Sequence, residues 1–345
     1  MTSDRSSRQR PISREHLKVP EPACPPDGVV LQTIACGVCR SDWHGWVGEH
    51  PRVKPGQIGG HEYCGEVVEA GPDAQFAVGD RLVAPFILAC GSCPQCRAGA
   101  QNTCLDQRLP GFIEPGAFAE YVAVPRDHNL ARLPETLSPT VAAGLGCRVT
   151  TAWHALTGRA ALDAGEWLAV HGTGGIGLSA ALLGRALGAH VVVVDIVQEK
   201  LDHALSLGID AAVLASDDTA AQIREITGGG AHVSVEALGF PVTVNASLQC
   251  LRPLGRHVQV GMPVGHTARM EVDMSAVYQG NLALYGTRGM PSWRYPSLLG
   301  LITSGKVDMG PLIAREVALS EASAELAAFN GPTPPGVAVI TDFTR

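Results

Sequence analysis

Trp167-Leu168-Ala169-Val170-His171-Gly172-Thr173-Gly174-Gly175-Ile176-Gly177 is an apolar run that passes directly into a glycine-rich turn. An unbroken apolar run of this length suits a strand buried on both faces of a sheet. Glycines at 172, 174 and 177 fit the G-x-G-x-x-G turn, in which the backbone amides and the N-terminus of the next helix receive a pyrophosphate. The turn therefore offers Gly172, Gly174, Gly175, Ile176 and Gly177 as cofactor contacts. The alanine- and leucine-rich segment from Leu178 to Ala189 supplies the helix, and His190-Val191-Val192-Val193-Val194-Asp195 a second strand. A carboxylate at the end of that strand accepts hydrogen bonds from ribose hydroxyls and repels a 2′-phosphate, so Asp195, followed by Ile196 and not by an arginine, points to NAD over NADP.

Outward from this unit the alternation continues. Gln198 to Leu207 predicts a helix, and Ala211 to Leu214, His232 to Glu236 and His257 to Val260 predict strands. Strand–helix alternation of this kind implies an α/β parallel sheet covered on both faces. Upstream the texture differs. Short apolar runs, Val29 to Ile34, Tyr63 to Ala70, Arg81 to Phe86 and Phe118 to Val124, are separated by Gly, Pro and Asp and predict a small, irregular β domain. Pro51, Pro55, Pro72 and Pro85 exclude long helices there. After about Gly286 the texture is mixed again and ends in the strand-like Gly336-Val337-Ala338-Val339-Ile340. At 345 residues the chain accommodates two domains. We divide it into residues 1–149, 150–285 and a return to the first domain over 286–345.

A formal net charge of −7 without a long basic run argues against nucleic acid as a partner. The longest apolar stretches fall short of the roughly 18 residues of a membrane span. The N-terminus is polar without the apolar core of a secretory signal, so a cytoplasmic location is expected. In that setting ten cysteines read as metal ligands before disulfides. Cys90-x2-Cys93-x2-Cys96-x7-Cys104 has the spacing to close a tetrahedron around a structural zinc with no open position.

Cys39-Arg40-Ser41-Asp42-Trp43-His44 places a thiol, a guanidinium, a hydroxyl, a carboxylate and an imidazole in six residues. The Cys39 thiolate suits zinc, the Ser41 hydroxyl can take a proton from something bound to that ion, and the His44 imidazole can carry it to water. Histidine, with an ordinary pKa of about 6.5, accepts and releases protons near neutrality. His61 beside Glu62 suits a ligand with a hydrogen-bonding carboxylate, and Cys147 stands where the texture changes. Cys39, His61 and Cys147 make a Cys2His set, which leaves a fourth position of a zinc ion open for catalysis.

Together these residues resemble the zinc-containing alcohol dehydrogenases of the medium-chain dehydrogenase/reductase superfamily. The run from Gly60 to Gly71 matches that family's G-H-E-x2-G-x5-G signature at every fixed position, and the four-cysteine lobe, Cys147 and the glycine turn follow in the family's order. The resemblance covers about residues 28 to 345. It implies a GroES-like, β-rich catalytic domain and a Rossmann, doubly wound parallel-sheet cofactor domain. It also implies NAD, one catalytic and one structural zinc, and a small alcohol, aldehyde or ketone as substrate. Glu62 would be an alternate or outer ligand, and Asp42 would orient His61. Arg40 would meet the pyrophosphate, and Lys200 the adenosine ribose. Ser41 would pass the substrate proton through the cofactor ribose to His44. Thr151 would pack near the nicotinamide, with Phe86 and Trp46 as walls of the substrate pocket and Trp43 as packing. A homo-oligomer is implied, a tetramer before a dimer.

Two departures stand out. The family begins on an apolar strand, whereas residues 1 to 20 here are polar and basic, so that edge of the β domain is expected to be missing, replaced or disordered. Some members carry a pyrophosphate-binding arginine in the last strand; Val337-Ala338-Val339 offers no cation, which leaves more of that task to Arg40. Within the class, polyol, threonine-type or formaldehyde-adduct dehydrogenases are the alternatives. A zinc-free quinone or enoyl reductase would lack Cys39, His61 and Cys147, and a non-catalytic protein of the same fold would have no use for the relay from Ser41 to His44.

Overall fold

The computed structural model describes residues 18 to 344. Expectations for the N-terminal stretch fall, up to residue 17, outside the described residues. The first part of the chain forms β1 (Val29–Gly37), α1 (Arg40–Trp46), β2 (Glu62–Ala70), β3 (Arg81–Val83), α2 (Pro94–Arg97), β4 (Tyr121–Val124), β5 (Ala131–Arg132), α3 (Pro139–Gly144) and α4 (Arg148–His154). There follow β6 (Trp167–His171), α5 (Gly175–Ala186), β7 (His190–Asp195), α6 (Gln198–Ser206), β8 (Ala211–Leu214), β9 (Ala231–Glu236), β10 (Leu251–Gln259) and β11 (Ala283–Gly286). The chain then returns to the first sheet with β12 (Ile313–Ala318) and β13 (Val337–Asp342).

Two sheets result. The six-stranded sheet runs β11-β10-β9-β6-β7-β8 with every pairing parallel, which is the doubly wound order with its switch point beside β6. Ala169, Val170 and Val191 to Val193 are completely buried, as helices on both faces require. The seven-stranded sheet runs β12-β13-β1-β2-β3-β5, with β4 also paired to β1, and is antiparallel except between β12 and β13. Its own apolar cluster joins Val29, Leu31, Tyr63, Val67, Leu82 and Val122.

Local sequence explains most element limits. Helix α5 begins three residues before the expected Leu178, because Gly174 already caps it and the Leu178 amide donates to the Gly174 carbonyl at 2.8 Å. It ends at Ala186, followed by Gly188 at φ +89°. Strand β10 starts at Leu251, earlier than the expected His257, through an irregular register around Pro253 and Leu254 that apolar patterning does not reveal. The expected divisions at 149/150 and 285/286 fall inside α4 and one residue before the end of β11.

Register positions the site. Gly37 at the end of β1 pairs with Glu62 at the start of β2. Cys39, two residues beyond Gly37, therefore stands next to His61, one residue before Glu62. Gly60, just before His61, lets the Ala117–Phe118 segment pass against the start of β2: its φ is +89°, and a side chain there would press on the Phe118 amide at 2.6 Å.

Candidate active site and metal centres

Helix α1 opens at Cys39, and Asp42 organises its first turn. Asp42 Oδ2 accepts from the Cys39 amide at 3.1 Å; Oδ1 accepts from the Gly60 amide at 3.1 Å and pairs with His61 Nδ1 at 2.9 Å. One buried carboxylate thus caps a helix and fixes an imidazole. With Nδ1–H committed to Asp42, the lone pair of His61 is on Nε2, which is buried and has no partner. Gly146 lets the next segment pass against His61 and Glu62, since a side chain there would meet the Glu62 Cα at 3.0 Å, and this brings in Cys147.

The electrostatics favour a cation at this point. Burial opposes a charged His61, yet the Asp42 carboxylate and Cys39 thiolate raise its pKa well above the histidine range. Surroundings that favour a proton on Nε2 favour a metal ion there too. Cys39 lies well below the ordinary thiol value, first through its hydrogen bond with Cys147 and, against burial, through His61 and Arg148. Cys147 moves the other way because it donates to Cys39 and is buried. The donor atoms of Cys39, His61 and Glu62 lie within 4.8 Å of one another, whereas the expected ligand Cys147 is outside that group and joins it through its hydrogen bond with Cys39. The residues present therefore fit a zinc ion.

Glu62 is already engaged. Its Oε1 accepts from the Arg148 amide at 3.2 Å, while Oε2 accepts from Arg148 Nε at 2.6 Å and also from Nη2. Burial pushes the Glu62 carboxyl up to about 7 against the pull of Arg148. Arg148 is the residue that reasoning from sequence missed. The available signal was an arginine placed directly after a buried cysteine, where only an acid partner makes it tolerable.

The four-cysteine lobe is a separate cluster. Sγ–Sγ distances are 3.4 Å for Cys93–Cys96 and 3.9 Å for Cys90–Cys96 and Cys93–Cys104. Four sulfurs about 2.3 Å from one zinc stand roughly 3.8 Å apart, the edge of the tetrahedron. All four are free thiols, and amides of Ser92, Cys93, Cys90 and Asp106 point at the sulfurs from 3.2 to 3.4 Å. This set fits a closed zinc site.

The remaining predicted residues are dispersed around these centres. His44 Nδ1 pairs with Glu49 Oε2 at 2.8 Å, leaving Nε2 for a second partner. The Ser41 hydroxyl is half-buried, and no hydrogen bond to it is formed among the described residues. Arg40 lies over the rings of Trp43 and Phe329, with centroids 5.3 and 5.1 Å away. Trp43 also donates to Asn330 Oδ1 at 3.0 Å. Phe86 packs with Cys147 and Phe112, its ring 5.9 Å from that of His61, whereas Trp46 packs in another cluster with Val38, Val317 and Ile340. Thr151 accepts from the Gly289 amide at 3.1 Å, and Lys200 donates to Thr333 at 3.2 Å.

In the glycine turn Gly172 takes φ +94°, and any side chain at Gly177 would strike the Gly172 carbonyl oxygen at 1.7 Å. Asp195 accepts from the Thr173 amide and hydroxyl at 2.8 and 2.7 Å and from the Val197 amide at 3.1 Å, so it also braces the turn.

Comparison with known proteins agrees with this architecture. Residues 25–135 match the alcohol dehydrogenase GroES-like domain, and residues 175–304 match the zinc-binding dehydrogenase domain. An alcohol dehydrogenase of Geobacillus stearothermophilus is 36% identical over 68% of this chain and 70% of its own. The L-threonine 3-dehydrogenase of Pyrococcus abyssi is 30% identical over 87% of this chain and 86% of its own. The solved alcohol dehydrogenase TADH from Thermus sp. ATN1 superposes with a TM-score of 0.87 at 28% identity, covering 94% of this chain and 96% of that one. The chain belongs to the zinc-type alcohol dehydrogenases of the medium-chain dehydrogenase/reductase superfamily. It is an oxidoreductase by membership, and among the described residues no helix is long and apolar enough to cross a membrane.

Proposed function

We propose that the protein transfers hydride between a primary or secondary alcohol and NAD, with Cys39, His61 and Cys147 holding a catalytic zinc and Cys90, Cys93, Cys96 and Cys104 a structural one. The observation that carries this reading is His61 Nε2: buried, without a hydrogen-bond partner, aligned by Asp42 and grouped with the Cys39 thiol. Zinc supplies a Lewis acid that lowers the pKa of a bound hydroxyl towards neutrality. Two thiols and one imidazole leave one position for substrate. Phe86 and Phe112 exclude water beside it. Ser41 accepts the hydroxyl proton, and His44, held through Nδ1 by Glu49, moves it towards solvent with its other nitrogen. The glycine turn and Asp195 select NAD, with Arg40, Thr151 and Lys200 as further contacts.

In this reading residues 1–149 and 286–345 form the catalytic body, and residues 150–285 hold the dinucleotide. The protein works in the cytoplasm as a homo-oligomer, a tetramer before a dimer. Zinc-loaded protein incubated with NAD and a panel of primary, secondary, polyol and hydroxy-amino-acid substrates will form NADH with at least one. Absence of turnover on every alcohol, aldehyde and ketone overturns the proposal.

A further inference from the structure

Arg148 is 2% exposed, and its guanidinium is only partly satisfied. Nε and Nη2 bind Glu62, and Nη2 also reaches the Val38 carbonyl at 3.5 Å. Nη1 is buried and has no partner. A guanidinium carries five N–H groups, and leaving those on one nitrogen unpaired inside a protein is costly.

The surroundings of Nη1 identify what is missing. A methyl group built on Gly175 would lie 3.2 Å from Val337 Cγ1, 3.3 Å from Arg148 Cδ and 3.5 Å from Arg148 Nη1. Gly175 is the first residue of the 12-residue helix α5, whose cap, Gly174, has no side chain to offer the free amides. That end of the helix carries partial positive charge. A buried guanidinium set against it is repelled unless an anion joins the two. Glu62 is bound by Nε and Nη2, which leaves Nη1, the nitrogen beside Gly175, without a partner.

We propose that Arg148 binds the phosphate groups of the dinucleotide, with Glu62 as the residue that positions it. The inference rests on the dinucleotide reading above and deepens it. Nη1 and the opening amides of α5 form a two-sided cradle for phosphate oxygens. This gives the cation absent from Val337-Ala338-Val339 a different origin in the chain: Arg148 touches the point on Gly175 that Val337 also touches. It revises the expectation that more of the pyrophosphate contact falls to Arg40. Because Arg148 follows Cys147 and Glu62 follows His61, the ion pair also ties the phosphate cradle to two of the proposed zinc ligands.

The test is calorimetric binding of ADP-ribose and of adenosine to the zinc-loaded full-length protein. Arg148→Lys and the paired Glu62→Gln/Arg148→Gln variant, which keeps a neutral hydrogen-bonded pair, should weaken ADP-ribose by about 10- to 100-fold, as loss of a charge-assisted hydrogen bond does. Adenosine affinity should not change. Adding Val337→Arg to the paired variant should recover part of the loss. Unchanged ADP-ribose affinity in variants with a wild-type melting transition overturns the inference, as does an equal loss for both ligands, which would mark Arg148 as a structural tie alone. If the wild-type protein binds no ADP-ribose, the dinucleotide reading itself fails, a different result from either of these.

Discussion

The two candidate metal centres use the same chemistry but are assembled differently. The four-cysteine lobe draws every donor from Cys90 to Cys104, and backbone amides of the same loop point at its sulfurs. The other centre, as proposed, would take Cys39 from just after β1, His61 from just before β2 and Cys147 from the N-terminus of α4. Its geometry depends on a strand register, on Gly60 and Gly146, and on Asp42 and Arg148 as braces. A closed loop can fold around its metal as a local unit. An open site needs ligands anchored on separate rigid elements, so that one position is kept free of protein.

If the distinction holds, damage to each centre has a different signature. Cys39→Ser should abolish turnover by about 10³-fold or more, since several kcal/mol of transition-state stabilisation depend on the ion. Metal analysis should then show one zinc lost per chain with the lobe's zinc retained. Loss of both zincs would mean that the centres are not independent.

Acid should also act at a distance from both centres. Burial lowers His171 to about 3, and burial with a small opposing pull from Gln259 lowers His257 to about 4; both are in the parallel sheet. Each is neutral when folded but takes a proton near pH 6.5 when unfolded, so its contribution is full above that pH and is lost as pH falls towards 4. Stability should fall by about 1.4 kcal/mol per pH unit for each histidine across this window. Melting transitions of zinc-stripped protein should keep this dependence, and His171→Asn should make it shallower. A flat profile between pH 6 and 4 would show that these imidazoles are not held neutral.

Cys104→Ser should release the lobe's zinc and cost a few kcal/mol of stability, because the metal closes a loop. Turnover per folded, zinc-loaded molecule should change little. A large fall at unchanged stability would give the lobe a catalytic role and weaken the contrast. The smallest effect is expected from Asp42→Asn, which leaves all three ligands in place but loosens His61. Zinc affinity at that centre should drop about 10- to 100-fold, read by competition with a chromogenic chelator, while the lobe is unaffected.

What could be read from sequence follows the same division. The spacing of Cys90, Cys93, Cys96 and Cys104 and the turn from Gly172 to Gly177 are local patterns, and both were visible in the chain alone. Helix α5 still began three residues early, since a glycine cap leaves no side-chain signal. Cys39, His61 and Cys147 were legible as candidates because of their residue types. Lys200 was expected at a ribose and is hydrogen-bonded to Thr333, 133 residues away, a contact that no local pattern records.

The sequence by itself determined a parallel sheet covered by helices, the glycine turn and the cysteine cluster, because strand–helix alternation, backbone conformation at glycine and close thiol spacing are properties of neighbouring residues. The pairing of Asp42 with His61 was implied by the family resemblance; only the tertiary structure decided that Glu62 is bound by Arg148 and that Arg148 Nη1 lies beside Gly175 with no partner. These are contacts between residues up to 86 apart, fixed by sheet register and by burial that excludes water. Inside such a site a charge must find its counter-charge across the fold, and a linear pattern does not specify which one it finds.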